Sequence, residues 1–264
     1  MIYELSCRRC EVEGATAEVW RQRALDALAA GRSDDAVAAL ERAIALRAGR
    51  RDLHLQLGAV LILVGQAERA RRLCREALDR FPDDPELVQA LGEAQLAAGQ
   101  IAEATETLAR SLELDPYLYR SLMGLGAIAA REGRLEAAIS YFEQARSIHP
   151  ELDVPHVNIG LLYLRMSRHE QSLAWLRRAF ALNPRRWQTL AGIGAILFET
   201  GRFEESRQWY LKAAAAQGCP PEVFAKLGAC CTALGLDSEA RQWAEKAATT
   251  KPQPSSFRLD SAGI

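Results

Sequence analysis

The chain has 264 residues, of which 49% are hydrophobic and 25% charged, and its formal net charge is -1. That is the balance of a folded protein with a sizeable core. Near-neutral charge argues against general affinity for nucleic acid or acidic membranes.

The opening, MIYELSCRRC, has Glu4 where a secretory signal would run apolar, and its Arg residues follow that position instead of preceding it. The longest apolar run, Ala59 to Val64, is too short to cross a bilayer. No membrane insertion and a cytoplasmic location are expected, with the six cysteines as reduced thiols. Within the leader, residues 1–16, Cys7 and Cys10 form a CxxC that resembles half of a rubredoxin-type knuckle. A structural zinc site needs four ligands; the remaining cysteines are Cys74, Cys219, Cys230 and Cys231, and the adjacent last two lack the spacing of a zinc knuckle. Inert thiols are the expectation. Metal or redox chemistry at Cys7 and Cys10 is the alternative, and a second chain would have to complete such a metal site.

Further along, LGEAQLAAGQ (residues 91–100) reads as helix but carries Gly92, and a glycine inside a helix costs about 1 kcal/mol relative to alanine. A step of 34 explains it. Gly58, Gly92, Gly126, Gly160, Gly194 and Gly228 share one phase, and Pro82, Pro116, Pro150, Pro184 and Pro252 share another. Gly31, Gly65, Gly99, Gly133, Gly201 and Gly235 form a third series, broken only by Ser167. Seven repeats follow: 17–50, 51–84, 85–118, 119–152, 153–186, 187–220 and 221–254. In each, a first helix is expected up to the turn at position 15, and a second helix up to the proline at position 32. Small residues at position 20, among them Ala104 and Ala138, are expected to answer the glycine at position 8, so that the two helices approach closely.

This pattern resembles the tetratricopeptide repeat family, with Leu-Gly at positions 7 and 8, Ala at 20 and 27 and Pro at 32, over residues 17–254. The aromatics of the family pattern are sparse here: position 4 is aromatic only at Trp20 and Phe224, and position 11 only at Tyr163. The resemblance implies an all-α class, an α-α superhelical solenoid of seven helix-turn-helix repeats; residues 255–264 read as a polar tail outside it.

Motifs that suggest chemistry have simpler readings. GLGAIA, residues 124–129, matches a dinucleotide turn, yet it falls inside a predicted helix with no preceding strand. No lysine follows a glycine, so there is no P-loop. His54 and His156 share position 4 and are expected to pack there, and the four histidines show no ligand spacing. Tyr141, Trp175, Trp209 and Trp243 form a ladder at position 23, which the resemblance assigns to the seam between second helices in preference to base stacking. Neither a cofactor nor catalysis is expected.

The resemblance further implies that first helices line a concave channel that holds a peptide or a partner helix. The expected lining is Arg120, Met123, Ala127, Arg131, Val157, Asn158, Leu161, Leu164, Arg165, Ala195 and Phe198. Small and apolar side chains would admit a bulky anchor, and the guanidinium groups suit carboxylates. The expected function is a non-catalytic scaffold or adaptor, a monomer or weak dimer, whose protein partner offers an apolar anchor and an acidic group. A substrate-holding chaperone of a secretion or envelope system, and a metal-dependent regulator using the CxxC, are the alternatives.

Overall fold

The computed structural model describes residues 2–250, with side chains from Thr16 onward. Among the described residues there are fourteen helices and no strand. They pair along the chain: α1 (Ile2–Ala29) with α2 (Ser33–Leu46), α3 (Arg51–Leu63) with α4 (Ala67–Arg80), α5 (Pro85–Ala97) with α6 (Ile101–Leu114), and α7 (Tyr119–Arg131) with α8 (Leu135–Ile148). The series continues with α9 (Val154–Arg165) and α10 (His169–Leu182), α11 (Trp187–Glu199) and α12 (Phe203–Ala214), α13 (Pro221–Ala233) and α14 (Asp237–Thr249). Each pair fills one expected repeat, and α1 also runs back through the leader. No described helix is long and apolar enough to cross a membrane.

The chain divides into two compact units, one ending at Ser121 and the other beginning at Leu122. The core of the first gathers Ala36, Leu40, Leu53, Leu57, Leu61 and Ala70. In the second, Leu190, Tyr210, Val223 and Leu227 form one cluster, and Leu176, Ile193, Ile196 and Leu197 another.

Every repeat turns in the same way. The glycines at position 15 have φ between +71° and +79°, and Ser167 holds the same place at +55°. That left-handed residue lets the N–H at position 16 reach back five residues to the carbonyl at position 11, at 2.8–2.9 Å in all seven repeats (Gln66 to Leu61, Arg168 to Tyr163). This is the Schellman closure, which satisfies carbonyls the helix end would leave bare. The second helices start without a side-chain cap. Acidic residues in their first turns, such as Asp34, Glu68, Glu103 and Glu170, face the positive end of the helix dipole instead.

Four of the six position-8 glycines mark a close approach, and there the side chain that fills it differs from the one expected; at Gly228 the nearest atom is the carbonyl oxygen of Ala240, at position 20 as expected, 3.4 Å from where a Cβ would stand. A Cβ on Gly92 would meet Leu108 Cδ2 at 2.6 Å, on Gly126 Phe142 Cε1 at 2.6 Å, on Gly160 Leu176 Cγ at 2.8 Å and on Gly194 Tyr210 Cδ2 at 3.0 Å. All four partners stand at position 24, one helical turn beyond position 20. Position 20 meets the glycine's carbonyl: Ser172 Oγ donates to Gly160 O and Ser206 Oγ to Gly194 O, both at 2.7 Å. A long side chain leans toward the N-terminus of its helix, so the residue covering a spot lies C-terminal to it.

Candidate functional site

The expected channel residues fall into three groups. Met123, Ala127, Val157 and Asn158 keep no more than 3% of their surface exposed, and so belong to the packing. Leu161, Leu164, Ala195 and Phe198 are half-buried, while Arg120, Arg131 and Arg165 are exposed.

The half-buried group lies on α9 and α11, two first helices that touch. Leu161 Cδ2 is 3.1 Å from where a Cβ on Gly192 would stand, so the absence of a side chain there gives Leu161 its place. Leu164 packs toward Leu176 and Ile193. Phe198 meets the Phe203 ring edge-on at 5.2 Å. Within the packed wall of α9, the Asn158 Nδ2 donor is buried without a hydrogen-bond partner.

The three arginines differ. Arg120 belongs to the first compact unit and is charge-compensated: Nε and Nη2 grip the Glu93 carboxylate at 2.7 and 2.6 Å. Burial pushes the Glu93 carboxyl upward, against the pull of Arg120. Arg165 Nη1 donates to Ala130 O at 3.0 Å, near the carbonyl end of α7. The guanidinium thus contributes to the fold. Arg131 ends α7 and is exposed.

The Glu93–Arg120 grip was not anticipated from the sequence. The signal was present as an acid at position 9 and a base at position 2 of the next repeat, and a second pairing of neighbouring helix starts shows the same logic. Arg51 reaches Asp84 at 2.9 Å in repeat two, and Arg186 holds Asp153 in repeat five, with the charges exchanged between positions 1 and 34.

The histidines pack at position 4. His54 Nδ1 lies 3.0 Å from Arg50 O, and His156 Nδ1 3.1 Å from Leu152 O. Burial lowers the His156 pKa, helped by Arg146 and Arg178. The position-23 tryptophans are half-buried against aromatic neighbours: Trp175 against His156 at 5.6 Å, Trp209 against Phe180 at 5.4 Å and Trp243 against Phe224 at 6.1 Å. A cation three residues on covers each ring, namely Arg178, Lys212 and Lys246.

Cys74, Cys230 and Cys231 are buried free thiols, and burial pushes the Cys74 thiol up to about 12. The side chains of Cys7 and Cys10 lie outside the described residues. Among the described residues no three His, Cys, Asp or Glu side chains gather as a metal would need.

Three family models, each described as tetratricopeptide repeat, match residues 61–125, residues 21–85 and 157–220, and residues 119–151. No curated protein matches the chain. Among solved structures, the chain is similar to one in the APC/C hetero-tetramer Cut9-Hcn1, with TM-score 0.69 and 18% identity over 81% of this chain. It spans 42% of that longer chain. A tetratricopeptide repeat protein from Parabacteroides merdae gives TM-score 0.68 at 15% identity, covering 94% of this chain and 99% of that one. Pseudomonas aeruginosa pilF gives 0.67 at 20% identity, covering 81% and 97%. At such identities the likeness is one of fold. Repeat models matched along most of the chain, and the helix pairs with their shared turn, lead to one assignment: the chain belongs to the tetratricopeptide repeat family.

Proposed function

We propose that this chain is a non-catalytic scaffold or adaptor that holds a segment of a partner protein along the first helices α9 and α11. The tetratricopeptide repeat fold supports protein interaction in general, and the Cut9-Hcn1 relative was solved within a protein assembly. The observation that carries the finer reading is the set of half-buried apolar side chains on α9 and α11, Leu161, Leu164, Ala195 and Phe198, with the exposed residue Arg165 at the end of α9. Such a set takes an apolar anchor, and the guanidinium takes a carboxylate. Buried free thiols at Cys74 and Cys230 fit a reducing, cytoplasmic setting. The scaffold works as a monomer or weak dimer.

The test is selection from a displayed peptide library, followed by titration of the selected peptide. Arg165→Ala should weaken binding about tenfold or more, and Leu161→Asp should abolish it, because an unpaired charge then faces the anchor. Circular dichroism controls for folding. Binding equal to wild type in both variants overturns the reading.

A further inference from the structure

The sixth repeat departs from the others where its second helix ends. Position 28 holds Ile44, Leu78, Leu112 and Phe180 in repeats one, two, three and five, and position 30 holds Leu46, Leu114, Ile148 and Leu182 in repeats one, three, four and five. The sixth repeat has Ala214 and Ala216 at these places, within a run of four alanines, and Gly218 in place of the proline. Accordingly α12 stops at Ala214, whereas α10 runs on to Leu182, two residues further in the repeat. A surface-open cavity of about 730 Å³ lies beside the end of α12, within the second compact unit, and Ala216 lines it where four other repeats carry Leu or Ile.

Its walls have a definite chemistry. Phe180 and Leu190 supply the apolar side, Ala215 and Ala216 the low rim, and Arg185 and Lys212 two cations. No Asp or Glu lines it. Neither cation has a carboxylate partner among the described residues. The Lys212 ammonium instead sits 4.4 Å from the Trp209 ring centroid, and Trp209 meets Phe180, so the cation and the apolar wall are held together. A volume of this size falls in the range of small-molecule sites, roughly 300–1,000 Å³.

We infer that this cavity binds a small amphipathic anion, its apolar body against Phe180 and Leu190 and its carboxylate or sulfonate between Arg185 and Lys212. Guanidinium and ammonium groups without competing acids favour the anionic head, and the apolar wall removes the body from water. The site shares no residue with the proposed partner-binding set on α9 and α11, so the two readings stand or fall separately.

Decanoate, decanol and 1-anilinonaphthalene-8-sulfonate are the probes for the full-length chain. The sulfonate dye should bind saturably, one per chain, and decanoate should displace it at least tenfold better than decanol. Arg185→Ala with Lys212→Ala should weaken both anions at least tenfold. Ala215→Trp, which keeps every charge but fills the exposed rim, should block them. Thermal melts matching wild type establish that the variants fold. Absence of saturable binding to wild type, equal displacement by decanol, or unchanged binding to Ala215→Trp would each overturn the assignment.

Discussion

The Phe142 ring packs against Gly126, so near that a Cβ there would stand 2.6 Å from Cε1 and 2.9 Å from Cδ1. Phe142 is fully buried and has nowhere to retreat. Gly126→Ala should therefore destabilise by about 1–3 kcal/mol, the usual cost of overpacking. Gly58 occupies the same repeat position, but its nearest neighbour is Cys74 Sγ at 3.6 Å, an ordinary contact. There alanine gains helix propensity without a clash, and Gly58→Ala should stabilise by about 0.5–1 kcal/mol. Urea melts of the two variants check the opposite signs.

The grip of Arg120 on Glu93 is lopsided, since the carboxylate is buried while the arginine side chain is 53% exposed. Arg120→Met leaves a buried carboxylate unpaired and should cost about 3 kcal/mol at pH 7. Glu93→Gln leaves the guanidinium where water reaches it, and should cost clearly less. Burial already pushes the folded-state Glu93 pKa above its ordinary value of 4.5. Its stabilising contribution is thus full below that value and is lost as pH rises through the raised one. Removing Arg120 raises that pKa further. The deficit of Arg120→Met against wild type should shrink on acidification from pH 7 toward pH 4.5, as chemical denaturation at each pH would read.

Ser167 adopts φ +55° where six repeats use glycine. Ser167→Gly removes a Cβ from the left-handed region and should stabilise by about 0.5–1 kcal/mol. Gly201→Ala makes the reverse change at the same turn position and should destabilise by about 1 kcal/mol. Differential scanning calorimetry of the pair decides.

His156 carries a pH dependence of opposite sense. Burial, helped by Arg146 and Arg178 and opposed by the hydrogen bond to the Leu152 carbonyl and by Asp153, lowers its folded-state pKa below the ordinary 6.5. The neutral ring's contribution is full above 6.5 and is lost as pH falls through the lowered value. His156→Phe keeps a ring at position 4, as Phe224 supplies in the seventh repeat, and has no proton to gain. Stability of this variant should fall less than wild type between pH 7 and 5.5, by parallel urea titrations.

The helices and turns were legible because each repeat writes its ends locally: Gly65 and Gly99 at the turn, Pro82 and Pro116 after the second helix. A turn residue acts on its own few neighbours, so its sequence position is its structural position. Residue spacing alone points to position 20 as the side chain filling the space at Gly92, whereas the lean of Leu108 along α6 brings position 24 there. The candidate site was less legible still. Whether Val157 is covered or Leu161 half-open depends on how neighbouring first helices rotate against one another, and on a missing Cβ at Gly192. The grip of Glu93 on Arg120 spans 27 residues, beyond any local pattern.

The sequestered sulfurs give the two compact units a built-in clock. Cys74 lies in the first unit, and Cys230 and Cys231 in the second, each with 1% or less of its surface exposed. Thiolates are the reacting species in alkylation, and burial suppresses them at Cys74 and Cys230. Modification therefore waits on opening of the surrounding helices. In a variant without Cys7, Cys10 and Cys219, pulses of an alkylating reagent followed by peptide mass analysis would time the breathing of each half of the chain separately. The cysteines then serve as chronometers of local unfolding, read without any fluorophore or engineered label.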